Sequence, residues 1–127
     1  MEQTPLHKSC FRGDTKSVRV MLNHVNQERR YSLLRMTSNH STNTPLHLAS
    51  YNGHADVIKV INKLGTQTQW INLLQMKGRE DMKVLHTAAY RDKQSSMYTI
   101  RGSVSNEVWI ELLSSLPEYN QWVDDEE

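Results

Sequence analysis

Residues 44–58 read TPLHLASYNGHADVI and contain the signals that start and end a short helix. A Thr hydroxyl can accept a hydrogen bond from a free backbone N–H at a helix start, and Pro suits the first helical position, where no donor is needed. Thr44 and Pro45 supply this pair, and Gly53 tolerates the left-handed turn that ends a helix. The stretch therefore predicts a helix from Pro45 to about Gly53, with a second helix after it.

The same signals recur at nearly constant spacing. Thr4-Pro5-Leu6-His7 precedes Thr44-Pro45-Leu46-His47 by 40 residues, and Leu85-His86 follows Leu46-His47 by 39. Further apolar positions coincide in the same register: Phe11, Tyr51 and Tyr90; Met21, Ile61 and Ile100; Leu33-Leu34, Leu73-Leu74 and Leu112-Leu113. The register predicts one domain over 1–127, with units at about 4–43, 44–82 and 83–122 and an acidic end at 123–127.

Each unit is predicted to be a helical hairpin followed by an extra short helical turn. Val57, Ile58 and Ile61 lie on one stripe of a second helix. The clusters at 70–74 and 108–113 place Trp and Leu side chains on one face of a further turn. Because one hairpin cannot bury its apolar face alone, the units must stack. The predicted fold is an all-α solenoid of three helix-turn-helix units.

The composition disfavours several classes of function. The formal net charge is +1, so no global field draws the chain to nucleic acid or to an anionic membrane. The single cysteine rules out an internal disulfide framework and indicates a reducing compartment. No apolar run approaches the roughly 18 to 20 residues that span a bilayer. We therefore expect a protein of the cytoplasm or nucleus, without membrane insertion or a nucleic-acid partner.

The stretch from Thr44 to Ile58 closely resembles the consensus of the ankyrin-repeat family, and Thr4 to Leu22 resembles it less fully. The units exceed the usual ~33 residues, and the excess falls where the Trp and Leu clusters lie. This resemblance implies a curved array whose concave face, built from loop tips and the exposed sides of the first helices, grips protein partners. It also implies a protein without catalytic activity.

The third unit departs most from this pattern. Lys83 and Val84 replace the Thr-Pro pair, and Asp92 and Lys93 replace Gly and His. These changes weaken the helix cap and the following turn. We expect the first helix of unit three to be the least stable of the three first helices.

The resemblance places one aromatic residue and a polar neighbour per unit on the concave face: Phe11-Arg12, Tyr51-Asn52 and Tyr90-Arg91. Tyr and Arg are enriched in binding hot spots, although rings that support the stack by packing on one another would show the same pattern. Family positions also imply loop-tip contacts at His40, Ser41, Asn43, Arg79, Glu80 and Met82. Solvated loop residues would look the same, so both interpretations stay open.

Other motifs are interpreted as structural. His7, His47 and His86 occupy one site per unit, so we expect hydrogen-bonding roles rather than metal or catalytic ones. Cys10 aligns with small residues, which favours an inert buried thiol. No catalytic, cofactor or metal site is predicted. The residues expected to build the fold are Thr4, Pro5, Leu6, His7, Gly13, Thr44, Pro45, Leu46, His47, Gly53, Leu85 and His86.

The densest basic group, Arg29, Arg30 and Arg35, fits either a contact to an acidic peptide or phosphate backbone, or a solvated helix face. For the whole chain we expect a non-enzymatic scaffold that binds an unidentified protein, needs no cofactor, and is monomeric or part of a larger chain. The alternative is a structural spacer from a longer array in a multidomain signalling protein. It rests on the motif starting at Thr4 and not recurring after residue 122.

Overall fold

The computed structural model describes residues 3–38 and 42–114, which form helices, turns and loops and contain no strand. The first helices of the three units are α1 (Pro5–Arg12), α4 (Pro45–Tyr51) and α7 (Val84–Tyr90). The second helices are α2 (Thr15–Asn23), α5 (Ala55–Lys63) and α8 (Gln94–Gly102). The third helices are α3 (Gln27–Leu34), α6 (Gln67–Gln75) and α9 (Asn106–Ser114). His40, Ser41, the end of unit three and the acidic segment lie outside the described residues.

The helices are arranged in layers. The first helices α1, α4 and α7 lie side by side in one layer, and α2, α5 and α8 lie side by side in another. Each first helix packs on the second helix of its own unit, while α6 packs against both α5 and α7. The prediction of stacked all-α helical units is confirmed.

The Thr-Pro pairs cap the first helices of units one and two, as the sequence predicts. Thr44 Oγ1 accepts a hydrogen bond from the backbone N–H of His47 at 3.2 Å and lies 2.7 Å from Nδ1 of the same ring. Thr4 and His7 form the same pair of contacts, at 3.2 and 2.8 Å. Each histidine therefore completes the cap of its own helix.

Each motif histidine also holds a distant carbonyl group with Nε2. The acceptors for His7, His47 and His86 are the carbonyl oxygens of Asn43, Met82 and Leu112, at 3.1, 3.0 and 3.2 Å. Because a carbonyl oxygen only accepts, Nε2 carries the proton and Nδ1 is left to accept. The predicted hydrogen-bonding role of the three histidines is confirmed.

The first helices end in left-handed residues, as predicted. Gly13 and Gly53 have φ of 76° and 74°, and Asp92 has φ of 54° in the third unit. A Cβ on Gly13 would lie 2.5 Å from Nδ1 of His54. A side chain at Gly13 would thus be strained by its own backbone and blocked by the next unit.

The third element of each unit is a helix of eight or nine residues, longer than the single turn expected. All three helices have their own side-chain caps. Asn26, Thr66 and Ser105 accept from the N–H groups of Arg29, Gln69 and Val108 respectively. In α6, Trp70 is 1% exposed. Capping and burial together extend the turn into a helix.

Arg30 departs from both interpretations of the basic group, whereas Arg29 and Arg35 are exposed. Its guanidinium donates to the carbonyl oxygens of Leu22, Val25 and Leu64, at 2.9, 3.3 and 2.6 Å. It therefore ties the last turn of α2 to the end of α5 in the next unit, and is neither a solvated side chain nor a free contact for a ligand. The helix C-terminus presents unpaired carbonyls and a negative dipole end, which a guanidinium satisfies.

Candidate functional site

A groove of about 420 Å³ lies along the layer of first helices and the loop before α7. It brings together eight of the predicted contact residues: Phe11, Asn43, Tyr51, Arg79, Glu80, Met82, Tyr90 and Arg91. We call these residues, together with Leu48 and Thr87, the groove. Three separate units contribute to it, so it exists only in the stacked chain.

Sequence reasoning missed Leu48 and Thr87, which also line the groove. Each lies three residues before the aromatic residue of its helix, which puts it one turn away on the same face. The two residues also coincide in the repeat register, at a spacing of 39. That combination of helical spacing and register was the signal that could have found them.

The aromatic side chains of the groove are open to solvent to different degrees. Phe11 is 44% exposed and Tyr90 is 63% exposed, while Tyr51 is half-buried. The guanidinium carbon of Arg91 lies 4.3 Å from the centre of the Tyr51 ring, which is the geometry of a cation–π contact. Much of Phe11 and Tyr90 is therefore accessible to a ligand.

The loop before α7 contains a short 3₁₀ turn, Arg79–Asp81, whose three residues are exposed. Glu80 and Asp81 have φ of 58° and 61°, a left-handed conformation that is uncommon for residues with a side chain. The N–H of Gly78 donates to the carbonyl of Met82 at 2.7 Å and closes the loop. The loop thus holds its residues in a strained but defined geometry.

Asn43 fixes this loop from the preceding unit. Its side chain is 8% exposed, and its Oδ1 accepts from the backbone N–H of Arg79 at 3.0 Å. A Cβ on Gly78 would come within 2.9 Å of the ring of His47. Asn43 and Gly78 therefore act as supports of the groove, and Asn43 offers a ligand little surface.

Two other predicted contacts lie beside the groove. Asn52 donates through Nδ2 to the carbonyl oxygen of Phe11 at 2.7 Å, and His54 Nε2 lies 2.9 Å from the same oxygen. Asn52 thus links the first helices of two units. Arg12 is exposed in the last turn of α1 and does not line the groove.

The charged groups of the groove are two arginines and one glutamate. Arg79, Glu80 and Arg91 are all exposed. None of them forms an ion pair within residues 3–38 and 42–114. The guanidinium of Arg91 has one face on an aromatic ring and its N–H edge available, so the site can receive a carboxylate.

The remaining titratable candidates are buried in the fold. Burial lowers the pKa of His47 and of His86 to about 4, and it lowers the pKa of His7 as well. Cys10 is buried, as predicted, and burial raises the pKa of its thiol to about 12. The part of the chain that the structure describes holds no cluster of three or more metal-ligating side chains.

A second cavity, of about 440 Å³, lies between α5, α6 and α8. Lys59, Trp70, Tyr98 and Ser103 are among its lining residues. Trp70 Nε1 donates to Ser103 Oγ at 2.8 Å, so the indole N–H is already used in the fold. Tyr98, which is 72% exposed, provides an aromatic side chain away from the groove.

None of the helices within the described residues is long and apolar enough to cross a membrane. The family model described as ankyrin repeats (3 copies) matches residues 1–69, which is more than half of the chain. No curated protein matches the chain significantly. The matched family generally consists of protein-interaction modules and is typically non-enzymatic.

Proposed function

This chain belongs to the ankyrin-repeat family, and from that premise we propose that it is a non-enzymatic scaffold that binds a protein partner through the groove. The proposal rests on one observation, which is that residues from three units meet in one groove. Side chains far apart in sequence, from Phe11 to Arg91, line one cavity. Exposed aromatic residues and arginine are the residue types that most often dominate binding energy.

The exposure of Phe11 and Tyr90 favours a role in binding a ligand over a role in packing the stack. A ring that is 63% exposed, such as Tyr90, contributes little apolar burial to its own fold. The supports of the groove, Asn43 and Gly78, hold the loop before any ligand arrives. Such preorganisation lowers the entropy lost on binding.

The proposal extends to the cellular setting. A buried, unpaired Cys10 suits the reducing cytoplasm or nucleus. We place the protein there as a signalling or assembly scaffold whose partner is a protein rather than a nucleic acid or a membrane. Fractionation of the source cells, with antibody detection of the chain, tests the placement, and recovery in a membrane pellet washed with salt would contradict it.

The test is a comparison of binding by two surface variants. Phe11→Ala/Tyr90→Ala removes two exposed rings from the groove, and Tyr98→Ala removes an exposed ring elsewhere. Proteins captured by the immobilised wild-type chain from an extract of the source cells are quantified by mass spectrometry. We expect the groove variant to lose its specific partner by tenfold or more, because aromatic hot spots contribute about 1 kcal/mol or more each.

The control variant should retain that partner at the wild-type level. All three side chains are exposed, so both variants should keep the helical circular dichroism and melting temperature of the wild type. Undiminished capture by the groove variant, together with loss by Tyr98→Ala, would move the binding surface to the second-helix layer and refute the proposal.

A further inference from the structure

Resting on the proposed function, we propose a specific ligand chemistry for the groove. It selects a peptide segment in which a single carboxylate side chain lies within two or three residues of an apolar anchor. The anchor fills the floor of the groove and the carboxylate meets the guanidinium of Arg91. The partner is thus recognised as an acidic-apolar peptide on another protein.

The apolar half of the proposal comes from the floor of the groove. Leu48 is 5% exposed and Thr87 is 6% exposed, so the floor is set back between more exposed side chains. Phe11 and Tyr90 are the exposed aromatic walls, and Met82 adds a flexible apolar side chain from the loop. Such a recess suits one branched aliphatic or aromatic side chain.

The requirement for a carboxylate in the ligand follows from Arg91. Its guanidinium is stacked on Tyr51 at 4.3 Å and has no ion pair among the described residues. A peptide lying over the groove would remove water from this charge, and a desolvated charge without a partner strongly opposes binding. A ligand carboxylate removes that penalty, and a planar guanidinium can receive it through two parallel hydrogen bonds.

The glutamate limits how acidic the ligand can be. Glu80 lines the same groove and its backbone is fixed by the closed loop, at φ of 58°. A run of consecutive carboxylates would place like charges beside Glu80 and bind less well than a single carboxylate, even though Arg79 lines the same groove. One carboxylate next to neutral residues satisfies Arg91 without opposing Glu80, which favours a short mixed motif over a polyacidic tail.

The experiment uses a phage library of random 12-residue peptides selected on the immobilised full chain. We expect the selected peptides to share Asp or Glu within three positions of Leu, Ile, Phe or Trp. Fluorescence anisotropy then measures the affinity of the best synthetic peptide and of its Glu→Gln version. Replacing the carboxylate should weaken binding to the wild type at least tenfold.

Arginine variants complete a double-mutant cycle. Arg91→Gln should lose at least tenfold in affinity for the acidic peptide and should no longer distinguish it from the Glu→Gln peptide. Arg101→Gln is the matched control, because Arg101 also stacks on an aromatic ring, 5.1 Å from the centre of Trp109, and does not line the groove. It should bind both peptides as the wild type does.

The outcomes separate the inference from the proposed function. Selected peptides that bind the wild type, lose affinity for Phe11→Ala/Tyr90→Ala and yet carry no acidic preference would overturn the acidic motif and leave the groove as a binding site. Selection of peptides that bind the groove variant normally, or of no peptide at all, would count against both. Enrichment of polyacidic runs would overturn the limit set by Glu80.

Discussion

Trp70 and Trp109 occupy the same position in consecutive units, yet their surroundings differ. Trp70 is 1% exposed, and its Nε1 donates to Ser103 Oγ of the following unit. Trp109 is only partly buried, and the side chain stacked on its ring is Arg101 from its own unit. Trp70 is thus covered in part by the unit that follows it in the chain. A unit of this fold is stabilised mainly by its neighbour.

Arg30 extends this comparison to the first unit. It occupies the position equivalent to Trp70, and it reaches the equivalent place, since Leu64 ends α5 as Ser103 ends α8. Arg30 uses charge-assisted bonds to carbonyl oxygens where Trp70 uses apolar burial and one hydrogen bond. The position matters to the stack more than the residue type that fills it.

Units two and three share a buried, neutral histidine, so lowering the pH should reduce the free energy of unfolding. This is the largest effect that we expect. Burial holds the pKa of His47 and His86 at about 4, below the 6.5 of an unfolded histidine. The unfolded chain therefore binds more protons between these values, so stability is complete above about pH 6.5 and falls as the pH approaches 4. The shift of His47 corresponds to roughly 3 kcal/mol of this loss at 1.36 kcal/mol per pKa unit. The lowered pKa values of His86 and His7 act in the same direction.

Urea unfolding at several values between pH 7.5 and 4.5 measures this dependence, and NMR of the ring protons identifies the groups. The lowered pKa of the exposed Asp14 affects stability only below its ordinary 3.8, so it does not overlap this window. A free energy of unfolding that stays constant from pH 7 to 4.5 would contradict the assignment of neutral, buried rings.

Trp70→Ala and Trp109→Ala test directly whether the two equivalent tryptophans contribute differently to stability. Truncating a fully buried Trp costs about 3–5 kcal/mol through lost burial and the cavity left behind. Trp109→Ala should cost less, about 2 kcal/mol, because its ring packs against the core but is only partly buried. Urea unfolding of both variants gives the two values, and equal losses would mean that neighbouring units do not decide burial.

Arg30→Met tests whether the first unit relies on its arginine as the second relies on Trp70. Methionine keeps an apolar stem and removes the donors to three carbonyl oxygens. We expect a loss of about 2 kcal/mol, because hydrogen bonds from charged groups contribute about 1.5–3 kcal/mol. Arg29→Met is the control, since Arg29 is exposed, and it should change stability by less than about 0.5 kcal/mol.

Features that recur in every unit, or in two of them, could be predicted from the sequence. The unit length, the caps at Thr4 and Thr44, and the histidine sites all follow from local signals that occur more than once. Arg30 was misread because its chemistry differs from the tryptophans with which it aligns, so only the register could reveal its role. Local rules of residue type fail where unlike side chains perform the same task.

The groove was predicted in part for the same reason. Its aromatic residues recur and could be found, whereas the support by Asn43 depends on a contact between residues 36 positions apart. Gly78 shows no repeat signal, yet its buried position beside Asn43 and His47 leaves no room for a side chain. Such supports arise from tertiary packing, which spacing within one unit does not encode.

The smallest expected effect concerns the helix start that differs between units two and three. In unit two the Thr44 hydroxyl accepts the N–H of His47 at 3.2 Å. Lys83 has no oxygen to offer in its side chain, while its backbone N–H donates back to His86 Nδ1 at 3.2 Å. Lys83→Thr should therefore add a cap worth about 1 kcal/mol.

Part of that gain is offset, because Lys83 Nζ donates to Gln75 Oε1 at 2.6 Å and the substitution removes this bond. Lys83→Ala removes the same bond without supplying a hydroxyl, so it isolates the loss. The difference between the Thr and Ala variants in urea unfolding should be about 1 kcal/mol in favour of Thr. Identical stabilities would show that α7 is held by packing against its neighbours alone, and that the departure of unit three from the Thr-Pro pattern has no energetic consequence.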